Sequence, residues 1–215
     1  MSIADAVPHN LHLNNLRLVD NGGFDGPSLR RLLSGTGTSL EYLTLSFPAN
    51  LTAPALELQG TITGIAPRLK GLHVEVRYDE FQPGARAFVE HLATILPMCR
   101  SLRVAHLLLG EEDMENVIRY LPNSVEKVIV AVESGAWDEE DIFDVEAIAK
   151  TADAVISQDL SSLRQLMVTS RASPSRQGAG AAVDLTPYEE AIAMAAAKGV
   201  ELTFHGLFPE RVRLD

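Results

Sequence analysis

The sequence has one cysteine, one tryptophan and aromatic residues at only 6% of its 215 positions. With Cys99 alone, no internal disulfide forms and a cysteine-rich zinc site is excluded. Position 99 is expected to follow a helix end as a small buried apolar residue, and no histidine-bearing family signature surrounds it to make it a catalytic thiol. No apolar run approaches the roughly 18 to 20 residues that a spanning helix needs. The first residues, Met-Ser-Ile-Ala-Asp-Ala-Val-Pro, lack the basic start and apolar core of a secretory signal, so an intracellular protein of cytoplasm or nucleus is expected. Positive charge is scarce: 18 Lys and Arg face 29 Asp and Glu, a formal net charge of −11. Nucleic acid and anionic membrane, both bound chiefly through clustered Lys and Arg, are therefore not expected as partners. No glycine-rich phosphate loop, nucleophile elbow, H-E-x-x-H or EF-hand pattern occurs, so no cofactor and no enzymatic activity are expected.

What the chain does have is aliphatic residues at a repeated spacing. Its hydrophobic content of 46% is ample for one domain with an ordinary core. Leu13 to Asn21 reads L-x-x-L-x-L-x-x-N, the strand unit of a leucine-rich repeat. The same three offsets recur at Leu40/Leu43/Leu45, Leu69/Leu72/Val74, Leu102/Ala105/Leu107, Val125/Val128/Val130 and Leu163/Leu166/Val168, and Leu202/Phe204 close the series. The last two apolar positions of each unit lie two apart, on one face of a strand, and the first sits in the turn leading into it. One unit cannot bury that face alone, whereas stacked units can. Successive units are 23 to 38 residues apart, longer and less even than the about 20 to 29 residues of ordinary repeats. The expectation is an α/β fold: an irregular leucine-rich-repeat solenoid of about seven units, with parallel strands on the concave face and helices on the convex face.

Read in order, residues 1–9 form a lead, 10–206 the repeat domain and 207–215 a tail. Helices are expected from Pro27-Ser28 to Gly35, over Ala85 to Leu96 with Pro97 ending it, over Glu112 to Leu121, over Asp138 to Ser157, and from Thr186-Pro187 through Ala197, with Gly199 as the stop. The second unit is followed by Leu56, Leu58, Ile62 and Ile65 at a spacing that predicts irregular chain or a single helical turn. Trp137 is expected as a lid on the core edge. Residues 170–183, without a large apolar side chain over most of their length, are expected to be a mobile loop. From Glu111 to Glu146, twelve acidic residues face only Arg119 and Lys127. A solvated outer face accounts for that run, with a docking surface for a basic partner as the sharper reading.

The segment Ile95-Leu96-Pro97-Met98-Cys99-Arg100-Ser101-Leu102-Arg103-Val104-Ala105-His106-Leu107 joins a helix ending in Leu-Pro to a short polar link and then Leu-Arg-x-x-x-Leu. It resembles the irregular leucine-rich-repeat domains of fungal F-box proteins, and Asn123 to Val128 and Leu160 to Leu166 echo it. The resemblance implies a domain that recognises substrates for a cullin-type ubiquitin ligase. In that family an N-terminal F-box binds the adaptor; no such segment precedes Leu13, so a cullin-ligase adaptor is expected as partner only if an F-box is supplied elsewhere. A truncated F-box-family product without ligase coupling is the corresponding alternative.

The repeat register also nominates a site. The residue between the last two apolar positions of each unit points to the concave side, giving Arg17, Thr44, His73, His106, Ile129, Met167 and Thr203. Neighbouring parallel strands lie roughly 4.8 Å apart, which makes His73 and His106 adjacent, with Glu75 one pleat away. Two imidazoles and a carboxylate are able to bind a transition metal, and a metal-dependent hydrolase using His73, His106 and Glu75 is the alternative reading. Ile129 and Met167, flanked by Leu108 and Ala131, would instead make a small exposed apolar strip suited to a protein partner. The favoured expectation is a non-enzymatic interaction scaffold that grips a protein through this concave face.

Overall fold

The structure, a computed structural model of the chain, describes residues 12–19, 26–36, 39–47, 60, 62–76, 83–133, 145–170 and 186–205. The lead, Trp137, residues 171–183, the tail and the first part of the helix expected from Asp138 lie outside these residues.

Among the described residues seven strands are present: β1 (Asn15–Val19), β2 (Tyr42–Phe47), β3 (Gly71–Val76), β4 (Val104–Gly110), β5 (Lys127–Glu133), β6 (Gln165–Ser170) and β7 (Glu201–His205). They form one sheet in chain order, and every neighbouring pair is parallel. The helices are α1 (Gly26–Gly35), α2 (Pro83–Ile95), α3 (Glu111–Ile118), α4 (Val145–Ile156) and α5 (Thr186–Ala197). The second unit crosses over through helical residues 62–65 and a 3-10 turn at Ala66–Arg68, the single helical turn that the spacing allowed.

The leucine offsets set the register. Leu16, Leu43, Leu72, Ala105, Val128, Leu166 and Leu202 are partners across all seven strands, and so are Leu18, Leu45, Val74, Leu107, Val130, Val168 and Phe204. All fourteen belong to the hydrophobic cluster or pack against it. The same cluster takes in Leu33 of α1, Ile62 and Ile65, Phe88 and Leu92 of α2, Met114 and Val117 of α3, Ile148 and Val155 of α4, and Tyr188 and Ala191 of α5. None of the residues lying between the two leucine rows takes part, so the described helices pack on one face of the sheet only. The leading apolar residue of units two to six, Leu40, Leu69, Leu102, Val125 and Leu163, is buried two residues ahead of its strand.

Helix α2 ends at Ile95, just ahead of Pro97 as expected, and the chain then tightens into a 3-10 turn at Leu96–Met98, where a proline in the first turn lacks only an N–H that would be unsatisfied anyway. Helix α3 ends at Ile118, and Leu121 is buried beyond it in a turn. Gly199 closes α5 with φ of +71°, the left-handed conformation in which glycine avoids a Cβ clash.

The entry to each strand is fastened to the preceding unit. The carbonyl of Asn14 accepts from the N–H groups of Glu41 and Tyr42, and the arrangement repeats for Glu41 with Lys70 and Gly71, Lys70 with Arg103 and Val104, Arg103 with Glu126 and Lys127, and Glu126 with Arg164 and Gln165. Serines standing just before the leading apolar residue add side-chain staples: Ser39 Oγ donates to the Leu13 carbonyl at 3.1 Å, Ser101 Oγ to Pro67 and Ser124 Oγ to Leu102, both at 2.8 Å. These bonds satisfy backbone carbonyls that the turns would otherwise leave open.

Candidate functional site: the open face of the sheet

In a parallel strand alternate side chains leave by opposite faces, so the residues between the leucine rows stand on the face away from the helices. Register makes Arg17, Thr44, His73, His106, Ile129, Met167 and Thr203 one unbroken row across the seven strands. Arg17 is exposed and the other six are half-buried. The row joins residues that lie up to 186 positions apart in the chain, which only the stacking of units accomplishes.

His73 and His106 are adjacent as expected, and their rings stack with centroids 3.9 Å apart and planes inclined by 22°. Stacked rings present faces to one another, whereas metal binding needs the in-plane lone pairs of both to converge on one point. Glu75 is buried, and its Oε2 accepts a 2.9 Å hydrogen bond from Ser46 Oγ on the adjacent strand. Among the described residues no group of three His, Cys, Asp or Glu side chains is placed to hold a metal ion. The arrangement therefore gives no support to a hydrolytic metal centre at His73, His106 and Glu75.

The apolar strip is also corrected. Ile129 and Met167 are half-buried, but Leu108 at 5% and Ala131 at 3% exposure are closed to a partner. They are register partners in the next row, between Glu75 and Thr169. Among the described residues of this face, the large apolar side chains that are exposed are Val19 on β1 and Tyr42 on β2, at 39% and 44%. Tyr42 was not among the expected site residues, although its position one before Leu43 already assigns it to the face of Thr44. Its ring lies across Gly71 on β3: a Cβ built there would stand 2.5 Å from Tyr42 Cδ1. A cross-strand aromatic thus covers the bare backbone of a strand glycine, and only the missing Cβ leaves room for the ring there.

Cys99 is fully buried, its Sγ 3.5 Å from the Ile95 carbonyl, and burial pushes its thiol up to about 12. A thiol so far from ionising is a packing residue rather than a nucleophile.

No protein-family model and no curated protein sequence matches the chain. Among solved structures, the leucine-rich repeat-containing protein LegL7 from Legionella pneumophila superposes with a TM-score of 0.57 at 14% identity, over 92% of this chain and 57% of that one. The chain thus spans little more than half the length of that protein. A GH18 chitinase from Pseudoalteromonas aurantia gives a TM-score of 0.38 at 11% identity over 93% of this chain and 82% of the other, a level that carries no argument. The parallel single sheet and the first likeness together make this a leucine-rich-repeat fold; they do not single out the repeat domains of F-box proteins within it. No helix among the described residues is long and apolar enough to cross a membrane.

Proposed function

We propose that the chain is a non-enzymatic protein-interaction scaffold that seats a partner protein on the open face of its sheet. The observation that carries this reading is the in-register row from Arg17 to Thr203 on a face that no described helix covers. The row mixes an arginine, two histidines and two large apolar residues, and beside it stands Tyr42, a residue type enriched at energetically dominant positions of interfaces. The Tyr42 ring lies against the Gly71 backbone with much of its surface exposed, which presents it to a partner. Glu75 and Leu108 act beneath this surface as support, and Arg17, Thr44, His73, His106, Ile129, Met167 and Thr203 form the contact surface itself.

The experiment is affinity capture from the native host with the wild-type chain and with a variant carrying alanine at Tyr42, His73, His106 and Met167. A protein recovered by the first and lost by the second supports the surface; equal recovery by both counts against it. The resemblance of residues 95–107 to the repeat domains of fungal F-box proteins extends the proposal to substrate recognition for a cullin-type ubiquitin ligase. A cullin adaptor in the captured material is the outcome that extension requires, and its consistent absence removes the extension while leaving the protein-binding reading in place.

A further inference from the structure

We propose that the edge of the sheet at the strand N-termini, centred on Arg68 and Arg100, is a second interaction surface that takes an acidic, carboxylate-rich segment of a partner protein. Because all strands run the same way in chain order, the segments that lead into them share one edge of the solenoid. Residues 39–41, 66–70, 96–103, 119–126, 157–164 and 198–200 hold seven Lys or Arg against three Asp or Glu, a net charge of +4. With 18 cationic and 29 anionic residues in the whole chain, 11 and 26 are left elsewhere, a net charge of −15. A positive edge on so acidic a protein is not explained by overall composition.

The charge is concentrated in two neighbouring units. Arg68 and Lys70 precede β3, Arg100 and Arg103 precede β4, and the two pairs are tied together by Arg103 N–H to the Lys70 carbonyl and Ser101 Oγ to the Pro67 carbonyl, both at 2.8 Å. Lys70 is paired with Glu41 at 2.7 Å and Arg103 with Glu126 at 3.3 Å, so the two inner cations are neutralised from the flanks. Arg68 and Arg100 are exposed and have no ion-pair partner among the described residues. Cations at this edge also answer the open carbonyls where helices end. Lys198 Nζ does so, donating to the Ile156 carbonyl at 2.6 Å, as does Arg119 Nε to Glu115 at 3.3 Å, whereas neither Arg68 nor Arg100 makes such a bond among the described residues. Two guanidinium forks in adjacent units suit two carboxylates of one extended segment, since each fork donates two parallel hydrogen bonds to the oxygens of one carboxylate. A nucleic acid, tracked by phosphates over a longer path, would meet the strongly acidic remainder of the chain. This surface is independent of the open face.

The probe is a fluorescein-labelled octaglutamate peptide, titrated at low ionic strength with the full chain and followed by anisotropy. The wild-type chain is expected to bind it, and the double substitution R68E/R100E to weaken binding about tenfold or more, the size typical of a lost charge-assisted contact. R68K/R100K, which keeps the charge but not the fork, is expected to fall between. Both sites are exposed, and circular dichroism establishes that each variant is folded. Unchanged affinity in R68E/R100E overturns the proposal. So does tighter, R68E/R100E-sensitive binding of a single-stranded oligonucleotide, and so does concentration-dependent self-association that the same variant abolishes, since the occupant would then be a nucleic acid or a second copy of the chain.

Discussion

The two faces of the one sheet have different rules. Toward the helices, fourteen register positions in two rows hold nothing but Leu, Val, Ala and Phe, and those in the middle strands are sealed from solvent. Away from the helices the central row changes type at almost every strand, from arginine through threonine and two histidines to isoleucine and methionine. A face that must stack unit on unit tolerates only shapes that fill space, because a polar group there would lose its water without a partner. The central row of the other face has no such demand, and its residues are half-buried or exposed. The difference teaches that in this architecture one set of alternate residues in each strand builds the core, which leaves the other set to the proposed partner.

The sharpest way to break that division is to truncate both sides at matched depth in the sheet. Leu107→Ala, on the sealed side of β4, is expected to cost about 3 kcal/mol in urea unfolding, as for buried leucines generally. Met167→Ala, on the open side of β6, should cost about 1 kcal/mol or less while reducing partner capture. Equal losses of stability would mean that the open face is structural as well. Gly71→Ala tests a place on the open face where an added methyl has no room. Its Cβ would meet the Tyr42 ring, so a loss of about 1 kcal/mol is expected, and the loss should disappear in a Tyr42→Ala background. A double-mutant cycle without coupling would show that the Tyr42 ring does not lie over Gly71.

The smallest effect concerns the helical layer. Asp153 of α4 has a buried Oδ1 with no hydrogen-bond partner among the described residues, and its pKa is raised, by burial first and by the charge of Glu190 on α5 second. A carboxyl whose folded pKa exceeds its unfolded value binds protons more readily when folded, so its contribution is most favourable at acidic pH and declines as pH rises through the folded value. Asp153→Asn is therefore expected to raise the melting temperature at neutral pH only slightly, because Asp153 is half-buried and solvent screens its charge. The gain should fade as pH drops and the wild-type carboxyl becomes protonated. A gain that persists or grows at low pH would locate the effect elsewhere.

The repeat spacing made much of this legible in advance. All seven strands fall where the offsets put them, because a misplaced register would turn every leucine of a unit to solvent. The adjacency of His73 and His106 follows from the same rule. What the spacing did not carry was depth: Leu108 and Ala131 share the parity of Ile129, yet they are closed to solvent, and Tyr42 emerges as the exposed aromatic. Parity says which face a residue is on, and says nothing of how deeply it is buried there. The serines of the staples did leave a signal, since Ser39, Ser101, Ser124 and Ser162 each stand immediately before a leading Leu or Val, and the first three bond to the preceding unit.

By itself the sequence determined the order and direction of the strands and which side chains are interior, because a period of two within strands and a recurrence of units admit few other ways to bury these aliphatic residues. Only the tertiary structure decided that the two imidazoles stack instead of converging, that Glu75 is engaged by Ser46, and that Arg68 and Arg100 sit together on one positive edge. Those outcomes depend on contacts between residues about 30 positions apart, brought within a few ångströms by stacking, and local pattern carries no record of such distances.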